Sequence, residues 1–198
     1  MTRRIGLFGG TFDPVHRAHL ALARAALQAL ALDELRWVPA GQPWQKSRVI
    51  TAAVHRRAML ELAIAGEPRF VLEPIELQRE GPSYTLDTVR ALQAAEPDAR
   101  WWLLIGADQH AGLHTWHGWR ELLGRVRLAV AARPGAVPAV HPEVLAAGFD
   151  VVPMPVMDVS ATAIRERVAR GEAIDDLVPA AVAGYIGQQA LYRSADGS

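Results

Sequence analysis

Short apolar runs alternate along this chain with longer segments whose apolar positions recur at helical spacing. Ile5, Leu7 and Phe8 read as a buried strand. Gly9 and Gly10 turn the chain, and a helix follows with Leu20, Ala23, Leu27 and Leu30 on one face. Leu35–Val38 is a second strand, ended by Pro39, and Gly41–Lys46 reads as loop. Thr51 is placed to cap a helix running through Leu62, with Gly66 as its stop. Phe70–Leu72 is a third strand, followed by a polar, irregular stretch over 76–82. Thr85 can cap a helix carrying Leu86, Val89 and Leu92. Trp101–Ile105 is the strongest strand signal, five apolar residues ended by Gly106. A short helix over Trp116–Leu123 and strands at Val126–Ala131 and Phe149–Val152 come next. Ser160 caps a helix to Arg170, with Gly171 as its stop, and Pro179 opens a last helix with Val182, Tyr185 and Ile186. Residues 193–198 read as a frayed tail.

Strands alternating with helices imply right-handed crossovers and an α/β fold, a doubly wound parallel sheet with helices on both faces. No linker or repeat divides the chain, so one domain is expected over residues 1–198. In such sheets ligands bind beyond the carboxyl ends of the strands, where the strand order reverses. Gly9-Gly10, the segment from Pro39 to Lys46, Gly106-Ala-Asp108 and the segment before Ser160 all follow strands. They are expected to share one crevice.

The chemistry follows from those positions. Glycines at 9 and 10 let a ligand approach the backbone, and Asp13-Pro14 reads as a helix start. A helix N-terminus after such a turn presents unpaired N–H groups and suits phosphate. His16 and His19, three residues apart, fall on one helical face and can aim together at an anion held there. Gly106 leaves room against the backbone, and Asp108 can accept from ribose hydroxyls. Ser160, Thr162 and Arg165 make a second helix start able to grip phosphate oxygens. Thr85 opens a helix whose N–H groups can bind a carboxylate. Trp116 can stack on a flat ring, while Trp119 is assigned to the core. His110, His114 and His117 lack cysteine or a set of acidic neighbours, so they read as loop and helix surface rather than a metal site.

Composition narrows the partners. The chain has 198 residues, 51% hydrophobic, with zero formal net charge, which gives no electrostatic case for nucleic acid or an acidic membrane. The absence of cysteine excludes thiolate nucleophiles and cysteine zinc sites. No signal peptide or membrane span is evident, so a cytoplasmic protein is expected. Lys46 is the only lysine among 21 basic residues, as if a compact ammonium were needed there.

The string Gly9-Gly-Thr11-Phe12-Asp-Pro-Val-His16-x-x-His19 resembles the signature of the nucleotidylyltransferase superfamily, whose short form is H-x-G-H. The longer string is similar to that of the bacterial nicotinate-mononucleotide adenylyltransferases. Ala18 stands where that family has glycine. Asp158-Val-Ser160-Ala-Thr162-Ala-Ile-Arg165 resembles the family's second signature, I-S-S-T-x-I-R, with Val159 and Ala161 as departures. Gly81–Thr88 and Trp116–Trp119 resemble its pyridine-nucleotide segments. The resemblance spans nearly the whole chain. It implies a Rossmann-like fold and transfer of AMP from ATP to nicotinate mononucleotide in NAD biosynthesis, giving nicotinic acid adenine dinucleotide and pyrophosphate. It implies that Gly9, Gly10, Thr11, Phe12, His16, His19, Gly106, Asp108, Ser160, Thr162 and Arg165 bind ATP. Lys46, Thr85, Trp116 and His117 are then expected at the acceptor, with His16, His19, Lys46 and Arg165 catalytic. Mg²⁺ is expected with ATP, without dedicated protein ligands. A monomer or a homodimer fits equally. Alternatives stay open at this point: another acceptor such as nicotinamide mononucleotide or phosphopantetheine, a cytidylyltransferase, or a non-catalytic nucleotide sensor.

Overall fold

A computed structural model describes residues 2–41, 50–132, 139–154 and 157–193. Six strands, β1 (Arg4–Gly10), β2 (Glu34–Pro39), β3 (Phe70–Leu72), β4 (Arg100–Ile105), β5 (Arg127–Ala132) and β6 (Phe149–Pro153), form one sheet. Their order is β3-β2-β1-β4-β5-β6, and every neighbouring pair is parallel. From β1 the chain runs outward to β2 and β3, then returns to place β4 on the other side of β1. The strand order therefore reverses between β1 and β4, which is the expected doubly wound arrangement.

The strand pleat sorts the core into two layers. Phe8, Trp37 and Leu104 face one side with α1 (Arg17–Ala29), α2 (Ala53–Ile64), α7 (Ala161–Ala169) and α8 (Ala180–Gln188). Leu7, Val38, Leu103 and Ile105 face the other, with α3 (Thr85–Ala95), α5 (Trp119–Arg125) and α6 (Pro142–Ala146). All four apolar positions named on the first helix, Leu20, Ala23, Leu27 and Leu30, are buried.

Several boundaries differ from the sequence expectation. α1 starts after His16 as N-cap rather than at Asp13-Pro14. The Asp13 carboxylate is buried and engaged elsewhere, accepting from the Tyr192 hydroxyl at 2.7 Å and from the backbone N–H of Thr51 at 3.4 Å. Thr51 is correspondingly not a cap. α2 begins after Ala52, and the Thr51 carbonyl accepts from Nε of Arg56. α3 begins at Thr85 with Tyr84 as N-cap. The helix expected over 116–123 is displaced: α4 (Ala107–Gly112) and a 3-10 turn (Leu113–Thr115) precede α5, which starts only at Trp119. α6 was not legible because it is a single short turn opened by Pro142. At Ser160 the expectation holds: its hydroxyl accepts from the Ala163 N–H at 3.1 Å, and Gly171 closes the helix at φ 73°. Most of the expected tail, and Lys46 with its loop, lie outside the described residues.

Candidate active site

A cavity of about 420 Å³ opens beyond the carboxyl ends of β1, β2 and β4, at the point of strand reversal. Gly9, Gly10 and Thr11 form its floor after β1, His19 enters from α1, and Ala40 follows β2. Gly106 and Gln109 follow β4, while Ser83, Tyr84, Thr85, Thr88, Trp116 and His117 make the far wall. A larger depression of about 720 Å³ lies at the amino end of the sheet, among Arg4, Arg100, Arg125 and Arg127. None of the described residues expected to bind ligand lines it.

The turn after β1 is built for close approach. A Cβ added at Gly9 would meet nothing within 4 Å, so this backbone faces open space. Phe12 sits in left-handed backbone at φ 49°, an uncommon conformation for a bulky residue. Its ring is buried and packs edge-on against Phe8 at 5.5 Å and His19 at 5.2 Å. That packing holds the strained turn. The rings of His16 and His19 stack with centroids 3.6 Å apart. The two are not equivalent. His16 is buried, and His19 is the one that lines the cavity. The backbone N–H of His16 donates to Nδ1 of His19, which leaves the proton of a neutral His19 on Nε2, where it can donate. Ala18, in place of glycine, is buried and is not part of the lining.

The second helix start reaches the same turn. Arg165 donates through Nη1 to the backbone carbonyl of Asp13 at 2.8 Å and through Nη2 to the Thr162 hydroxyl at 3.1 Å. α7 is thereby tied to the turn after β1 although 152 residues separate Arg165 from Asp13, but Ser160, Thr162 and Arg165 do not line the cavity.

At the far wall, Thr85 and the half-buried Trp116 both line the cavity, and the His117 ring stacks on Tyr84 at 4.4 Å. Trp119 is half-buried and packs against the core on the α3 and α5 side, with Arg120 over its ring at 4.3 Å and His141 edge-on to it. His110 is likewise not surface: it is 2% exposed and packs on Phe149, and burial pushes its imidazole below the ordinary histidine range. Asp108 is exposed in the first turn of α4. It does not line the cavity, whereas its neighbour Gln109 does.

Two buried charged residues support this frame without having been singled out in the sequence. Glu76 is 8% exposed, lines the cavity and accepts from the Thr88 hydroxyl at 2.8 Å. Burial raises its carboxyl above the usual range. A Cβ on Gly41 would lie 2.2 Å from the Glu76 carbonyl oxygen, so only glycine fits there. Arg56, 2% exposed, donates to the carbonyls of Thr51, Thr11 and Gly41. Its sequence signal was an arginine in helical phase with apolar Met59, Leu60 and Ile64.

An open parallel sheet with two helix starts meeting at its reversal point defines a nucleotide-binding α/β protein. The chain belongs to the cytidylyltransferase-like family, whose model matches residues 7–167. It is 53% identical to a probable nicotinate-nucleotide adenylyltransferase of Methylibium petroleiphilum, with 96% of this chain and 92% of that protein covered. It is 50% identical to one of Bordetella petrii, with 96% and 100% covered. Among solved structures, Plasmodium falciparum nicotinic acid mononucleotide adenylyltransferase complexed with NaAD superposes with a TM-score of 0.79 at 18% identity, with 96% and 97% of the two chains covered. That likeness is one of fold.

Proposed function

We propose that this chain transfers AMP from ATP to nicotinate mononucleotide, giving nicotinic acid adenine dinucleotide and pyrophosphate. The observation that carries the reading is one cavity lined by Gly9, Gly10, Thr11 and His19 together with Thr85 and Trp116, with Arg165 held beside it on the Asp13 carbonyl. High identity over nearly full length to relatives bearing that name supports the acceptor.

The 5′-phosphate of the mononucleotide attacks the α-phosphorus of ATP in line. A new P–O bond forms, the α–β bridging P–O bond breaks, and pyrophosphate carries away the electron pair. The nucleophile is already anionic, so no general base is needed, and catalysis rests on positioning and charge stabilisation. Gly9, Gly10 and Thr11 cradle phosphate with backbone groups, with Phe12 holding their turn. His19 donates from Nε2 to a phosphate oxygen, and His16 stacks behind it to fix its ring. Ser160, Thr162 and Arg165 receive the outer phosphates, with Lys46 as a further positive charge. Gly106 gives the adenosine room, and Asp108, in the first turn of α4 and outside the lining, would reach the ribose only from outside the cavity. Thr85, Trp116 and His117 take the pyridine ring and its carboxylate.

Among the described residues no group of three His, Asp or Glu could hold a metal ion. Mg²⁺ arriving on ATP would have phosphate oxygens and water as its main ligands. Bound there, it would neutralise triphosphate charge. No helix of the described residues is long and apolar enough to cross a membrane.

The test is pyrophosphate release with the dinucleotide identified as product. ATP with nicotinate mononucleotide is expected to turn over and CTP is not. Comparable rates with CTP would assign the chain to cytidylyl transfer, and nucleotide binding without turnover would make it a sensor.

A further inference from the structure

The Asp13 carboxylate lies inside the turn read above as nucleotide-binding, and one of its hydrogen bonds comes from the other end of the chain. It is 1% exposed, and its Oδ1 accepts from the Tyr192 hydroxyl at 2.7 Å across 179 positions. Its Oδ2 accepts from the Thr51 N–H, and its backbone carbonyl from Arg165. The Tyr192 phenol is raised above its ordinary range by burial and by this neighbouring carboxylate, so the hydroxyl keeps its proton and donates.

Left-handed backbone lies at one end of this hydrogen bond and next to the other. Phe12, next to Asp13, has φ 49°. Tyr192 has φ 63°, and Ala190 has φ 50°. Residues of this kind persist in the left-handed region only where their surroundings hold them. After α8 the chain uses the two left-handed positions to fold back over α2, where Tyr192 also meets the Met59 sulfur at 4.0 Å. α8 is itself pinned to α2 by His55 and the Tyr185 hydroxyl at 3.0 Å. A mere tether could end on the apolar surface of α2. This one ends on the acidic group of the turn that carries Thr11, His16 and His19.

We propose that Tyr192 is a positioning residue for adenylyl transfer, holding Asp13 and thereby the phosphate-binding turn in its reactive geometry. The inference rests on the transferase reading above. Tyr192→Phe deletes only the hydroxyl. Assayed well below its melting temperature, with the folded fraction fixed by circular dichroism, it should lose at least fivefold in kcat. The KM for nicotinate mononucleotide should stay within twofold, because the far wall is untouched. Met59→Leu, which alters the packing but keeps the hydrogen bond, should retain kcat within twofold.

Unchanged kcat in folded Tyr192→Phe, however far its melting temperature falls, would make the contact a structural tether and overturn the proposal. An equal loss in Met59→Leu would assign the effect to packing and overturn it as well. Wild-type protein without turnover would overturn the transferase reading and this inference together. Turnover in wild type with an unaffected Tyr192→Phe overturns this inference alone.

Discussion

The backbone N–H of His16 donates to Nδ1 of His19 at 3.2 Å, so one histidine sets the tautomer of the other. The His19 proton is directed to Nε2 on the residue that lines the cavity. His19→Ala should therefore remove a preorganised donor to the transferring phosphate, at a cost of about 3 kcal/mol or more in the transition state. The loss should fall in kcat, with the melting curve retained. Near-normal turnover in the folded variant would remove His19 from the mechanism.

Lys46 stands alone among arginines. Replacing it by the bulkier, planar guanidinium in Lys46→Arg should lower kcat/KM by about tenfold despite the retained charge. Steady-state kinetics check this, and equal efficiency would leave the single lysine without functional meaning.

Glu76 gives a pH prediction. Its folded carboxyl titrates above the ordinary glutamate value because of burial, so the native state binds its proton more tightly than the unfolded chain does. The associated stability is fully present below the unfolded pKa and is lost as pH rises through the folded one. Glu76→Gln keeps an oxygen to accept from Thr88 and removes the titration. The variant should be more stable than wild type at pH 8, with the two converging near about pH 4. Urea midpoints at both pH values decide it. A variant less stable at pH 8 would mean that the ionised carboxylate is favoured where it lies.

Trp116→Ala should weaken the acceptor and leave ATP binding nearly unchanged. Trp116 lines the wall beside Thr85, across the cavity from the Gly9–Thr11 floor. Calorimetric titration with each ligand separately provides the check, and parallel losses for both would place Trp116 in the general frame of the cavity.

The parts of this molecule that were legible in the sequence depend on local chemistry. Phe70–Leu72 is a strand at the expected residues, and Ser160 and Gly171 bound a helix by capping that involves near neighbours. The turn from Gly9 to His19 was legible as a turn leading into a helix, because its glycines and histidines lie within a few residues of one another. Asp13 and Thr51 were misread as helix caps. Asp13 is held by Tyr192 and by the Thr51 N–H, 179 and 38 positions away, and only the folded protein brings these together. Arg56 reads locally as a break in an apolar face. In the fold it satisfies three loop carbonyls.

The acceptor preference tests the functional reading most directly. Nicotinate and nicotinamide mononucleotides differ by a carboxylate against an amide, and no lysine or arginine among the described residues lines the wall formed by Thr85, Trp116 and His117. Backbone N–H groups at the start of α3 favour an anion and leave the donors of an amide unpaired, at roughly 1–3 kcal/mol each. The rate of pyrophosphate release from ATP should be measured with each mononucleotide and with phosphopantetheine over a range of concentrations. The predicted result is a kcat/KM for nicotinate mononucleotide at least about tenfold above that of either rival. Equal efficiencies, or a preference for the amide or for phosphopantetheine, would contradict it.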